Sequence, residues 1–236
     1  MSIRQTKRKL SIILIMINIK EIDDAKHILI VLQNNASVDY LASSNALYTY
    51  LLTLHKKVSF YCAEFEYGLN LDFLPWMDKM RTSYPTSSDY EINAINSMEL
   101  FNYFTINKIK LNSKISTSLY AGILDHTKSF SEGVNGTIFA RLGILIENGA
   151  DFKLCNKNLI NYQTYASLRL KAILLSKMKL EDDAKRAIFE LSEDDLVKSG
   201  AEVKEASSVL SEALALPTVS MAIVIYKNKE IMRQGI

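Results

Sequence analysis

Short unbroken apolar runs alternate along this chain with longer stripes at helical spacing. Residues 28–32 are five apolar positions in a row, rich in β-branched side chains and too short for a helix. Such a run predicts the central strand of a parallel sheet. Asn34, Asn35, Ser37 and Asp39 follow as a polar turn without glycine, and a helix is predicted to open at Asp39. Leu41, Leu47, Tyr48, Leu51, Leu52 and Leu54 then form a helical stripe over 40–54, and 56–62 returns as a second strand. The stretch is a β-α-β unit, which crosses over right-handedly. Ligands in open α/β sheets sit beyond the carboxyl ends of the strands, so a site is expected to begin in the turn after Leu32.

Upstream, 19–25 predicts a short helix. Residues 64–85 carry Gly68, Pro75 and Pro85 and read as a loop with a short helix. Within it, Phe73, Leu74 and Trp76 are expected to plug the core, the alternative being the lining of a ligand pocket. An amphipathic helix is predicted over 135–148, with Gly149 at its C-terminal end. Further helices are predicted over 151–159 and 164–178, then a strand over 185–191. Ser192 reads as an N-cap with Asp195 at the third helical position, an acidic variant of the capping box. Residues 203–214 are helical in pattern, and 219–226 with 230–232 form a hairpin.

A chain of 236 residues that is 48% hydrophobic can bury one sizeable core, or a large and a small lobe. Its net charge of +2 gives no strong basic field, and Lys7, Arg8 and Lys9 are the one local basic cluster that stands out. Cys62 and Cys155 have no metal-binding spacing and point to a reducing compartment, so a cytoplasmic location is expected. The apolar run 10–17 falls well short of the roughly 20 residues that span a bilayer, and no small-x-small cleavage site follows it. Residues 1–15 read as an upstream extension, with Met16 as the native start. The alternative is an edge strand or helix packed on the domain.

Residues 28–47 resemble the first motif of the DHH-family phosphoesterases, an apolar strand, H-x-N-P-D-x-D-x-x-G-S and an apolar helix. Asn35, Asp39 and Ser43 match, while Gln33, Ala36, Ser37 and Ala42 stand at the histidine, proline, first aspartate and glycine. The strand KKVSFYC follows at the family's distance. Downstream, Gly122, Thr127 and Phe130 align with G-I-x-x-D-T-x-x-F, which places His126 at a metal-binding aspartate and Asp125 one residue before it. Between its second strand and the helix matched by 97–104, the family carries a strand ending in a metal-binding aspartate and another ending in Asp-His-His. This chain has no Asp-His-His and reads as passing from Ser87 almost directly into that helix. A deletion that removes at least one sheet strand is therefore expected. The chain also stops before the glycine-rich segment that grips substrate in the family.

The resemblance implies an α/β fold: a shortened parallel-sheet domain flanked by helices over 16–161, a linker helix over 162–179, and a smaller, truncated α/β second lobe over 180–236. The family includes manganese-dependent nanoRNases, oligonucleotide exonucleases and adenosine bisphosphate phosphatases. Two-metal hydrolysis needs cations about 3.5–4 Å apart, held mainly by carboxylates and imidazoles, and manganese favours carboxylate oxygen. Gln33 and Ser37 contribute little negative charge. Asp39 and His126 are the remaining candidate manganese ligands, and Gln33, Asn35, Ser37, Ser43, Asp125 and Thr127 are expected to line the ligand cleft.

Purely structural roles compete with these. Asp39 suits the positive end of a helix, and His126 suits the carbonyl end of another. His27, His55 and the acidic runs 181–183 and 193–195 read as solvated. No G-x-S-x-G elbow or G-x-x-x-x-G-K-[ST] loop is present, and neither cysteine adjoins a histidine. The expected function is that of a phosphoesterase relative that has lost hydrolysis. It would bind a nucleotide or short oligonucleotide, or serve regulation or assembly with a protein partner or as a homodimer. The alternatives are an active manganese-dependent phosphoesterase on short RNA or adenosine bisphosphate, and a scaffold marked by an exposed apolar patch.

Overall fold

The structure, a computed structural model, describes residues 17–65 and 68–235. The expectations that concern residues 1–16, including the start at Met16, lie outside them. The chain divides into two compact units, the first ending at Tyr162 and the second beginning at Gln163.

In the first unit, α1 (Ile19–Asp24) leads into β1 (His27–Val31), followed by α2 (Val38–Thr53) and β2 (Lys57–Tyr61). Two short strands come next, β3 (Met80–Arg81) and β4 (Tyr90–Asn93), then the helices α3 (Ser97–Ile106), α4 (Ser113–His126), α5 (Gly136–Glu147) and α6 (Phe152–Leu159). The four strands form one sheet in the order β3-β2-β1-β4, every pair parallel. β1 is central, which is why it reads as an unbroken apolar run: Ile28, Leu29 and Ile30 are all fully buried. Ile28, Ile30, Val58, Phe60 and Ile92 form one core with Leu41, Leu47 and Leu51 of α2 and Leu119 and Ile123 of α4. Each such side chain contributes about 1.5–3 kcal/mol of burial.

The expected deletion is corrected here. Residues 80–81 and 90–93 form strands, and β4 pairs directly with β1, Ile28 opposite Tyr90 and Ile30 opposite Ile92. β4 has a single fully buried residue, Ile92, so its own pattern is too short to declare a strand; its pairing with β1 defines it. In the loop before it, Leu74 and Met77 are buried. Trp76 stacks on Tyr48 at 5.3 Å between centroids, and its indole N–H donates to Thr49 Oγ1 at 2.9 Å. Trp76 thus helps to fill the core, as expected of this loop.

His27 is a second correction. It is only 6% exposed, with Nε2 2.8 Å from Ser59 Oγ and Nδ1 3.0 Å from the carbonyl of Ser87. Two hydroxyl-bearing residues distant in sequence satisfy the ring, so burial costs it little. His55, by contrast, is exposed beyond the end of α2.

Asparagine side chains open helix after helix. Asn18, Asn96, Asn112 and Asn135 accept from backbone N–H groups of the first turns of α1, α3, α4 and α5. Asp151 does the same for α6, whereas at α2 Ser37 makes no such bond.

The second unit is built on a four-stranded sheet, β5 (Lys179–Glu181), β6 (Arg186–Leu191), β7 (Met221–Tyr226) and β8 (Lys229–Gly235), in sequence order. β6 and β7 are parallel and both outer pairs antiparallel. Helix α7 (Tyr165–Ser176) supplies Leu170 and Leu174 to a core with Phe189 and Val224, so the helix expected as a linker belongs to this unit. Helices α8 (Glu193–Ser199) and α9 (Ser208–Leu214) complete it. The capping box of Ser192 and Asp195 is present. Asp195 is nevertheless not solvated as expected: it is buried and paired with Lys177.

Candidate functional site

A cavity of about 650 Å³ lies at the carboxyl ends of β1 and β4. One wall is the turn Gln33, Asn34, Asn35 and Ser37; Tyr40 of α2, Asn93 of β4 and Glu99 of α3 provide the rest of its polar surface. The turn closes without glycine because Asn35 takes φ 55°, a left-handed conformation that asparagine tolerates. Asn34 Oδ1 fixes it by accepting from the backbone N–H of Glu64 at 3.2 Å. Among the described residues, the side chains of Gln33, Asn35 and Asn93 find no hydrogen-bond partner, and no lysine or arginine lines the cavity.

Beside it, a knot of polar groups ties three helix ends together. Asp39, 4% exposed, accepts from the backbone N–H of Ser97 at 2.7 Å through Oδ1, and its Oδ2 lies 3.0 Å from His126 Nδ1. Its own backbone N–H donates to Asp125 Oδ2 at 3.0 Å, and Ser97 Oγ donates to its carbonyl. The uncapped start of α2 is thereby served by Asp125 rather than by Ser37. Burial pushes the Asp125 carboxyl above the usual carboxylate range, with the bond from Asp39 N–H opposing and the Asp39 charge adding to the shift. Gly122 makes the close approach of α4 possible: a Cβ there would fall 1.7 Å from Ser97 Oγ and 3.1 Å from Asp39 Oδ1.

Of the residues singled out from sequence, Gln33, Asn35 and Ser37 line the cavity. Asp39, Asp125 and His126 come together in the adjoining knot. Ser43 and Thr127 do neither. Ser43 Oγ donates to the carbonyls of Tyr40 and Ile95, and Thr127 Oγ1 to those of Ile123 and Leu124. Tyr40, Asn93 and Glu99 were missed. Asn93 and Glu99 depend on β4 lying beside β1, where the sequence showed no strand, whereas Tyr40 directly follows Asp39 in α2.

These residues do not fit the two-cation centre that the resemblance implies. Among the described residues, no group of three or more His, Cys, Asp or Glu side chains is placed to hold a metal ion. Asp39 already accepts from Ser97 N–H, Asp125 accepts a backbone amide, and the adjacent rim is built of neutral amides and hydroxyls with Glu99 as its one carboxylate among the described residues.

Neither family models nor curated protein sequences match this chain. Among solved structures, an exopolyphosphatase-related protein from Bacteroides fragilis is similar to it with a TM-score of 0.70 at 16% identity, over 89% of this chain and 78% of that one. A putative family II inorganic pyrophosphatase from Methanococcus jannaschii is matched over 84% of this chain and 64% of that one, at 12% identity and a TM-score of 0.28. The first likeness shows the fold: a parallel-sheet α/β unit followed by a smaller α/β unit.

Proposed function

We propose that this protein binds a nucleotide or short oligonucleotide in the cavity at the β1 and β4 carboxyl ends and does not hydrolyse it. The observation that carries this reading is the neutral turn after β1, where Gln33 and Ser37 stand at the positions that the resemblance gives to a histidine and an aspartate. Gln33, Asn35, Ser37 and Asn93 surround a cavity of about 650 Å³, within the range of small-molecule sites, on a phosphoesterase-type fold. Unpartnered amides offer both donors and acceptors to a ligand but cannot ionise a water or neutralise a leaving group. Two buried free cysteines, Cys62 and Cys155, support a reducing cytoplasmic setting.

Calorimetric titration with nucleosides, mononucleotides and a trinucleotide RNA, with the ligand recovered afterwards, tests this. Saturable binding, weakened by Asn93→Ala, with the ligand returned intact is the expected result. Consumption of the ligand, or no binding by any of these compounds, overturns it.

Assembly is the second reading, favoured by one observation. Phe139, Ile144 and Ile146 of α5 are exposed while Ile138, Leu142 and Leu145 are buried, so the helix is apolar on both sides. A larger species in solution that Ile144→Glu converts to monomer would support it.

A further inference from the structure

Glu99 stands apart from the other groups of the cavity. It is half-buried in the first turn of α3, and among the described residues it takes part in no ion pair. The positive end of α3 favours a carboxylate at this place, and the carboxylate repels a phosphate chain. Among the described residues, no lysine or arginine of the cavity reverses that repulsion. What satisfies such a carboxylate best is a planar pair of parallel N–H donors, the geometry of bidentate recognition.

We propose that the cavity recognises a guanine base, with the Glu99 carboxylate accepting from the paired N1–H and N2–H donors, and leaves the phosphates outside. This rests on the ligand-binding reading above and names the ligand class. The free amides of Gln33, Asn35 and Asn93 each present a donor and an acceptor, as the O6 and N7 acceptors of guanine and the ribose hydroxyls require. Tyr40, 39% exposed and lining the same cavity, offers an aromatic ring for the base to stack on. Adenine presents an acceptor where guanine presents N1–H, so it sets lone pair against carboxylate.

The test is equilibrium binding of guanosine, inosine, adenosine, guanosine monophosphate, tripolyphosphate and free arginine to the full chain. Guanosine is expected to bind about 10–100-fold more tightly than adenosine, the range for a bond to a charged acceptor, with inosine between them because it lacks the N2 amine. The monophosphate is expected to bind no more tightly than guanosine. Glu99→Gln is expected to abolish the preference, and the guanosine-to-inosine ratio of the unaltered protein reports independently of whether that variant folds. Equal affinity for guanosine and adenosine, or affinity rising with phosphate number, overturns the inference while leaving the ligand-binding reading standing. Binding of arginine without guanosine overturns it in favour of a guanidinium ligand. No binding by any nucleoside or nucleotide overturns both.

Discussion

Asp39 Oδ2 and His126 Nδ1 stand 3.0 Å apart, the carboxylate buried and the imidazole side chain 48% exposed. Their contributions to stability differ accordingly. Asp39→Ala removes the acceptor of the buried Ser97 N–H and is expected to cost about 2–4 kcal/mol, whereas His126→Ala, an exposed partner, costs under about 1 kcal/mol. Urea denaturation of both variants checks the contrast, and comparable losses would contradict it.

Gly122 is expected to tolerate no side chain. Gly122→Ala sets a Cβ 1.7 Å from Ser97 Oγ and 2.8 Å from Ser97 Cβ, and α4 must shift to relieve it. A loss of about 1–3 kcal/mol or more is expected, partly recovered by adding Ser97→Gly. Thermal melts of the single and double variants measure the recovery.

Asp125 gives the first unit a pH dependence of definite sign. Burial makes the folded protein hold this proton more tightly than the unfolded chain, whose carboxyl titrates at about 3.9. The associated stability is fully present below that value and is lost as pH rises through the raised folded pKa. Asp125→Asn keeps an acceptor for the Asp39 N–H and removes this slope. Stability measured from pH 4 upward should therefore decline less steeply in the variant.

Asp195 gives the second unit the opposite sign. Burial alone would raise its carboxyl, but the Lys177 ammonium and the bonds from Ser192 prevail and hold it below the usual range. Its contribution is present above about 3.9 and is lost as pH falls through the lowered value. Asp195→Ala removes both the capping box and the partner of Lys177, at an expected cost of about 1–3 kcal/mol at neutral pH. Chemical denaturation at pH 7 and pH 3 should show the variant's deficit shrinking in acid.

What was legible in the sequence was what local pattern encodes. The apolar run 28–32, the stripe of α2 and the capping box at Ser192 each specify their structure within a few residues, and each is found. β4 was not legible, because four residues with one fully buried side chain become a strand only by lying against β1. His27 and Asp195 failed for the same reason: their partners Ser59, Ser87 and Lys177 lie 18 to 60 residues away. The site was half legible. The turn 33–37 marked its place, but the wall from Asn93 and Glu99 followed from a strand the pattern did not announce.

The claim that this fold binds without hydrolysing is tested most directly by incubating the purified protein and its Asp39→Ala variant with manganese and either a short RNA or adenosine bisphosphate, and measuring released nucleotide and phosphate. The account predicts no turnover by either protein. Manganese-dependent turnover by the unaltered protein that Asp39→Ala abolishes would contradict it and make Asp39 and His126 a working metal site.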